Sequence, residues 1–352
     1  MGTPVDPVPR AVRDALAGAA DAPGYPTTHG TPRLREAAAG WLARRHGVSV
    51  DPAAVLPVIG TKEFIAALPT LLGCGPGDSV VHPELAYPTY DIGARLAGAR
   101  AVAADFGCET AGSDPEQLSG PTVQPSELPA AVRLAWLNSP SNPTGRVLPA
   151  ERLRSARRAA RAAGTVLASD ECYIELGWSA RPVSILHPDV SAETFQGLLA
   201  VHSLSKRSNM AGYRAGFVTG DPELIADLLE IRKHAGMMMP TPVQAAMAAA
   251  LDDDEHADEQ RARYAARRDR LWAALTAAGW AIEHSEAGLY LWARRPGQDC
   301  WGSVQVLAEA GILVAPGEFY GPAGGQHIRI ALTATDERVD AAVARLGKLT
   351  EP

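Results

Sequence analysis

The chain predicts an α/β protein built around a largely parallel sheet, and three observations carry that expectation. Helical periodicity and strand-length apolar runs alternate through most of the 352 residues. Three of the runs, Arg133 to Asn138, Thr165 to Asp170 and Leu198 to Ser203, each close on a residue able to hold a polar ligand. In open α/β sheets the ligand crevice lies outside the carboxyl ends of the strands, so endings in Asn, Asp and Ser-x-x-Lys point at one place.

Taken in order, Thr31 caps a helix that begins at Pro32, carries Leu34, Ala38, Trp41 and Leu42 on one face and stops before Gly47. A second helix starts after Gly60-Thr61 and presents Phe64, Ile65, Leu68 and Leu72, with Pro69 kinking or shortening it. Gly75 to Asp78 is a turn, and Ser79 to His82 a short strand. Glu151 to Ala163 reads as a helix whose Arg154, Arg157, Arg158 and Arg161 form a solvated face. Beyond Leu251 the composition shifts. Asp252-Asp253-Asp254 leads into a long helix to about Ala278, and strands follow near Trp280 to His284, Leu289 to Ala293, Ile312 to Val314 and Ile328 to Leu332. That pattern predicts a smaller α+β unit at the end of a linking helix.

Bulk properties narrow the function. A net charge of −7 gives no electrostatic footprint for nucleic acid or an anionic membrane. Apolar stretches are broken well before a span of about 20 residues, and Met1 is followed by Gly-Thr-Pro rather than a basic leader. A soluble cytoplasmic enzyme is expected. The four cysteines lack a C-x-x-C pair and the nine histidines lack H-E-x-x-H spacing, so no metal is expected. Only four of the 33 basic residues are lysines. A lysine kept inside a motif in such a chain points to a need for a primary amine.

Lys206 is that lysine. It follows a buried-strand run within Ser203-Leu204-Ser205-Lys206 and precedes Gly212-Tyr213-Arg214-Ala215-Gly216. Placed there, an amine can form a Schiff base, while hydroxyls and Arg214 can neutralise a phosphate; together these are what pyridoxal 5′-phosphate (PLP) requires of its protein. Asp170 ends an apolar run, where a buried carboxylate must meet a cation or several donors. A protonated pyridine nitrogen would serve, although a helix N-cap would explain Asp170 equally when taken alone. Tyr173 is placed to donate to the cofactor's phenolic oxygen. Two prolines and Gly145 stiffen Ser139 to Gly145 and hold Asn142 inward, unless that segment is a generic turn. The helix start at Thr61 and Lys62 offers free N–H groups to phosphate, Tyr87 can stack on a ring or simply pack, and Arg329 can bind an α-carboxylate or a structural partner. For a second substrate carboxylate, Lys233, His29 and Arg232 are candidates.

In combination these motifs resemble the class I/II, aspartate-aminotransferase-like PLP enzymes of fold type I, from Gly2 to the C-terminus. The carrying residues are Tyr25 with Gly30 and Leu34-Arg35-Glu36, the Gly60 helix start, Tyr87-Pro88, Asn142-Pro143-Thr144-Gly145, Asp170-Glu171-x-Tyr173, Ser203-x-Ser205-Lys206 and Arg214-x-Gly216. The resemblance implies that residues 21–252 form a large PLP domain and 1–20 with 253–352 a small one. It implies that Lys206 holds the cofactor covalently, Asp170 faces its ring nitrogen, and Asn142 and Tyr173 bond its phenolic oxygen. It assigns the phosphate to Thr61, Lys62 (through its N–H), Ser203 and Arg214, with Tyr25 reaching the neighbouring subunit's phosphate in a homodimer with shared sites. Arg329 then takes the substrate carboxylate and Gly2 closes over it.

More narrowly, Gly2 to Pro7, Tyr25 to Thr28, Val58 to Glu63, Lys233 to Met238 and Phe319 to Pro322 look like the actinobacterial succinyldiaminopimelate transaminases of lysine biosynthesis. That resemblance implies ping-pong transfer between glutamate and N-succinyl-2-amino-6-oxopimelate. Members of that group usually carry a further N-terminal segment before the Gly-Thr-Pro motif, which Met1 abuts here. The alternatives are a transaminase for aspartate, aromatic or acetylornithine-like substrates, a β-eliminating lyase, or a non-catalytic PLP-binding module.

Overall fold

A computed structural model describes residues 2–104, 131–192 and 194–349. Its larger sheet comprises β1 (Val55–Ile59), β2 (Ser79–Pro83), β3 (Arg100–Ala104), β4 (Val132–Asn138), β5 (Val166–Asp170), β6 (Leu198–Ser203) and β7 (Ala215–Gly220). They lie in the order β1-β7-β6-β5-β4-β2-β3. Pairing is parallel from β6 across to β3, whereas β7 runs antiparallel to both β6 and β1. The sheet is thus mostly parallel, as expected.

Both faces of this sheet are buried, which is why its strands are continuously apolar rather than alternating. Period-two geometry sends Leu134, Trp136, Leu199 and Val201 to one face and Ala135, Leu137, Leu198 and Ala200 to the other. The first face packs under the helix Thr61–Leu71, through Phe64, Ile65 and Leu68, and under Pro222–His234, through Ile225 and Leu228. The opposite face receives Leu34, Ala38, Trp41 and Leu42 of the helix Pro32–His46. That helix begins with Thr31 accepting the Leu34 N–H and ends at Gly47 with φ +65°, the left-handed conformation that glycine permits. Pro69 falls in the last turn of Thr61–Leu71, where the helix stops two residues later.

Three strands of the sheet escaped the sequence reading. β1 contains Pro57, which argues against a central strand; it is tolerated because β1 lies at the sheet edge. β3, Arg-Ala-Val-Ala-Ala, is the other edge and its alanines carry little strand preference. β7 is short of bulky residues, and Gly220 adopts φ +147° where a Cβ would lie 2.1 Å from the Leu198 carbonyl oxygen.

The smaller unit follows the long helix Glu255–Ala277. Strands β8 (Ala281–Glu283), β9 (Tyr290–Arg294), β10 (Ala315–Pro316) and β11 (His327–Ala331) form an antiparallel sheet ordered β10-β11-β9-β8. The strand expected at Ile312 to Val314 begins instead at Ala315. The Ile312 N–H is occupied by the Leu307 carbonyl, closing the helix Cys300–Glu309. The described part of residues 1–20, expected in the smaller unit, has contacts on both sides. Asp6 pairs with Arg267 of the long helix, but the helix Arg10–Gly18 rests on Thr241–Asp252 and places Val12 in the larger core. Among the described residues, no helix is long and apolar enough to cross a membrane.

Arg267 is 1% exposed and its guanidinium donates to both oxygens of Asp6 at 2.7 Å and to Asp336 at 3.0 Å. Removing it leaves the Asp6 carboxylate without its cation, held by the Gln260 amide. Arg267→Met is expected to cost roughly 3 kcal/mol in urea unfolding, against under about 0.5 kcal/mol for Arg10→Met, whose ion pair with Asp14 is exposed on both sides.

Candidate active site

Three neighbouring strand ends build the site. β4 and β5 are in register with Asn138 opposite Asp170, and Asp170 lies opposite Val201 of β6, five residues before Lys206. The chain leaves β6 through a single helical turn, Leu204–Arg207, whose start is fixed by Ser203 Oγ accepting the Ser205 N–H at 3.2 Å. The three endings expected to converge therefore do. Around them is a cavity of about 480 Å³ walled by Gly2, Thr61, Lys62, Tyr87, Asn142, Asp170, Cys172, Tyr173, Ser205, Lys206, Arg214, Tyr290, Phe319, Tyr320 and Arg329, among others.

Asp170 is 5% exposed and accepts two hydrogen bonds, Oδ2 from the Tyr90 hydroxyl at 2.8 Å and Oδ1 from the Cys172 N–H at 3.1 Å. Burial, with the Asp170 charge beside it, pushes the Tyr90 hydroxyl well above its usual pKa, so it remains a donor. No cationic side chain of the described residues pairs with Asp170. A buried carboxylate facing a cavity with neutral donors behind it is a seat for a cationic ring nitrogen.

On the phosphate side, Gly60 precedes the helix Thr61–Leu71 with φ +73°, and no side chain caps that end. A Cβ at Gly60 would stand 2.2 Å from Arg214 Nη2, so glycine is what lets the guanidinium lie against the helix start. Arg214 itself sits at φ +56° and donates to the Ala211 carbonyl at 2.9 Å. Glu63 locks the turn by accepting the Ile59 N–H, and buried Arg232 grips Glu63 at 2.8 and 3.1 Å. Free helix N–H groups beside a guanidinium form an anion site.

Asn142 receives support from Asn138, whose Oδ1 accepts the Asn142 N–H at 2.7 Å and whose Nδ2 donates to the Asp170 carbonyl at 3.0 Å. The Asn142 Oδ1 accepts from Arg329 Nη1 at 2.8 Å, joining the larger unit to β11. The Tyr173 hydroxyl lies 3.2 Å from that of Tyr290, and burial together with Tyr290 holds its pKa well above the ordinary value. Lys206 Nζ lies 5.8 Å from the Tyr173 ring centroid.

Most of the residues singled out in the sequence thus meet in one cavity. Ser203 is buried behind it as the cap of Ser205, and Tyr25 is 96% exposed away from it. The candidates for a second carboxylate do not line it. Arg232 is fully buried on Glu63, Lys233 pairs with Glu230, and His29 bonds the Ala53 carbonyl. Lys62, expected to act through its backbone N–H, lines the cavity, and its Nζ lies 5.8 Å from the Tyr87 ring centroid. Tyr90, Cys172, Tyr290 and Tyr320 were missed. Tyr90 had a local signal, a second tyrosine three residues after Tyr87 at a helix start.

The family model for "Aminotransferase class I and II" matches residues 2–346. The chain belongs to the class I and II aminotransferases. It is 60% identical over 346 residues to the 4-dedimethylamino-4-oxo-anhydrotetracycline transaminase OxyQ of Streptomyces rimosus, covering 98% of this chain and 91% of that one. A solved probable N-succinyldiaminopimelate aminotransferase from Thermus thermophilus superposes with a TM-score of 0.86 at 30% identity, covering 99% of this chain and 93% of the other. Aspartate aminotransferase from the same organism, solved with maleate, gives 0.84 at 27%, covering 99% and 90%. The fold is therefore the aspartate-aminotransferase-like fold type I, and the protein is a PLP-dependent transaminase acting on small amino and oxo acids. The cavity fits that cofactor: the Gly60 to Arg214 cradle provides for an anion and the Asp170 carboxylate for a cationic ring.

Beneath the site, Glu171 is 1% exposed, accepts the Ile185 N–H at 2.7 Å and stands 3.7 Å from buried His202. Burial pushes its pKa up to about 7 and depresses that of His202. A carboxyl raised in the folded state favours folding below its unfolded value near 4.5 and loses that contribution as pH climbs through about 7. Glu171→Gln keeps the acceptor but cannot ionise. Its stability relative to the parent is expected to improve by on the order of 3 kcal/mol between about pH 4 and about pH 8, read by urea unfolding at each pH.

Proposed function

We propose that this transaminase moves an amino group between glutamate and N-succinyl-2-amino-6-oxopimelate, yielding N-succinyl-LL-2,6-diaminopimelate and 2-oxoglutarate. One observation carries the reading: a single cavity is lined by Arg329 and by Lys62, whose Nζ lies near Tyr87, together with Lys206 and Asp170. Both glutamate and the succinylated partner have an α-carboxylate and further carboxylate away from the reacting carbon. Arg329 is the fork for the α-carboxylate, and Lys62 is the point charge for the distal one. The name of the Thermus relative supports the same substrate class.

When bound, PLP supplies an aldehyde for the amine and a ring that draws electrons from the substrate's Cα. Lys206 holds the cofactor and, once released, is the base that takes the proton from Cα. Asp170 keeps the ring nitrogen protonated. Tyr173 and Asn142 hold the phenolic oxygen, while Thr61, the Lys62 N–H and Arg214 hold the phosphate, and Ser203 fixes the turn that brings Ser205 to the cavity. Arg329 would hold the substrate by its α-carboxylate and limit its orientations at the reacting carbon. Gly2 closes over the carboxylate, Tyr87 lies against the ring, and exposed Tyr25 reaches the phosphate of a second copy in a homodimer.

A second reading has its own support. OxyQ is named for a polycyclic ketone, and Tyr87, Phe319 and Tyr320 give this cavity an aromatic wall, with Phe319 58% exposed. Glutamate would remain the donor in that case. Rapid mixing of the yellow holoenzyme with N-succinyl-LL-diaminopimelate separates the two. Prompt loss of the visible band is expected; indifference to that compound with brisk reaction to glutamate would remove the first reading.

Lys62→Ala is expected to raise KM for glutamate about 10-fold, the scale of a charge-assisted contact, with kcat changed less than about 3-fold. An unchanged KM would assign the distal carboxylate elsewhere. Lys206→Ala is expected to leave no covalent adduct after borohydride treatment, detected by intact mass.

A further inference from the structure

Tyr290 touches three of the groups to which the proposed reading assigns separate tasks. It opens β9, is 4% exposed, and lines the active cavity. Its hydroxyl is 3.2 Å from the Tyr173 hydroxyl. The Arg329 guanidinium carbon lies 3.8 Å from its ring centroid, closer than the 4.7 Å to Tyr320. At Gly2, φ is +84° and a Cβ would stand 2.7 Å from the Tyr290 hydroxyl oxygen, so the N-terminal segment passes directly against it.

We propose that Tyr290 is a positioning residue with two separable functions: its hydroxyl aims the Tyr173 proton into the cavity, and its ring fixes the plane of Arg329. The inference rests on the PLP reading of the site. A phenol has one proton to give and can accept from others. If Tyr290 spends its proton on the Tyr173 oxygen, the Tyr173 proton is left for the cofactor's phenolic oxygen, and each bond in such a chain polarises the next. Burial keeps Tyr173 protonated, so it has that proton to donate. The ring acts by another route. A guanidinium over an aromatic face is held by the ring quadrupole and loses rotational freedom. The fork that meets a carboxylate is thereby set before substrate arrives.

Two variants separate the functions. Tyr290→Phe removes only the hydroxyl, so weaker donation from Tyr173 is expected to raise the pH midpoint of the holoenzyme's visible absorption by about half a unit. Its PLP dissociation constant, from titration of the apoprotein, is expected to rise about 3-fold. Tyr290→Leu removes the ring as well, and its KM for glutamate is expected to exceed that of Tyr290→Phe by about 3- to 10-fold. A purely structural tyrosine would move neither the spectral midpoint nor the difference in KM between the variants. An unchanged midpoint in Tyr290→Phe, or the same glutamate KM in both variants, overturns the inference while the cofactor reading stands. A parent protein whose visible absorption does not respond to added PLP removes that reading instead.

Discussion

The site depends on keeping one carboxylate buried at the end of a central strand. Asp170 would be costly there without compensation, and the fold supplies it in layers: the Tyr90 hydroxyl and the Cys172 N–H on the carboxylate, and Asn138 on the Asp170 carbonyl. Each donor comes from a different piece of chain. Tyr90 lies in the first turn of the helix Thr89–Leu96, Cys172 lies just past β5, and Asn138 ends β4. The parallel register that sets Asn138 opposite Asp170 is thus as much a part of the site as the side chains.

From that anchor the remaining geometry follows the topology. β6 lies beside β5 and delivers Lys206 one helical turn beyond its end. The link from β6 ends at Arg214, which lies against the turn before Thr61, and β7 then returns antiparallel to β6. Gly216 permits this return, since a Cβ there would come within 2.9 Å of the His202 carbonyl oxygen. The smaller unit closes the other side through the Arg329 hydrogen bond to Asn142 and the Tyr290 hydroxyl beside that of Tyr173, with Tyr290 and Tyr320 packed on the guanidinium.

The core strands and the long helices were legible in the sequence because their signals are local. Apolar runs of strand length, a threonine before Pro32 and a glycine after His46 need no tertiary information. Asp170 was legible for the same reason, as a polar residue closing an apolar run, whereas Asn142 stood out through the prolines and Gly145 around it and Lys206 as a rare lysine three residues past such a run. The less visible elements owe their state to neighbours. β1 contains a proline that only an edge position allows, and β10 is displaced because a helix terminus claims Ile312. The partners of Asp170 and Arg329 were illegible for a different reason: Tyr90 is 80 residues from Asp170, and Asn142 is 187 from Arg329. Arg232 shows the reverse error. A cation just before a family-like motif was a candidate substrate ligand until packing placed it on Glu63.

The central claim is that Asp170 faces a protonated ring nitrogen. Nitrogen NMR of apoprotein reconstituted with PLP labelled at the pyridine nitrogen tests it most directly. The account predicts a pyridinium chemical shift in the parent and a neutral pyridine shift in Asp170→Asn. A neutral nitrogen in the parent, or a protonated one in both proteins, would contradict it.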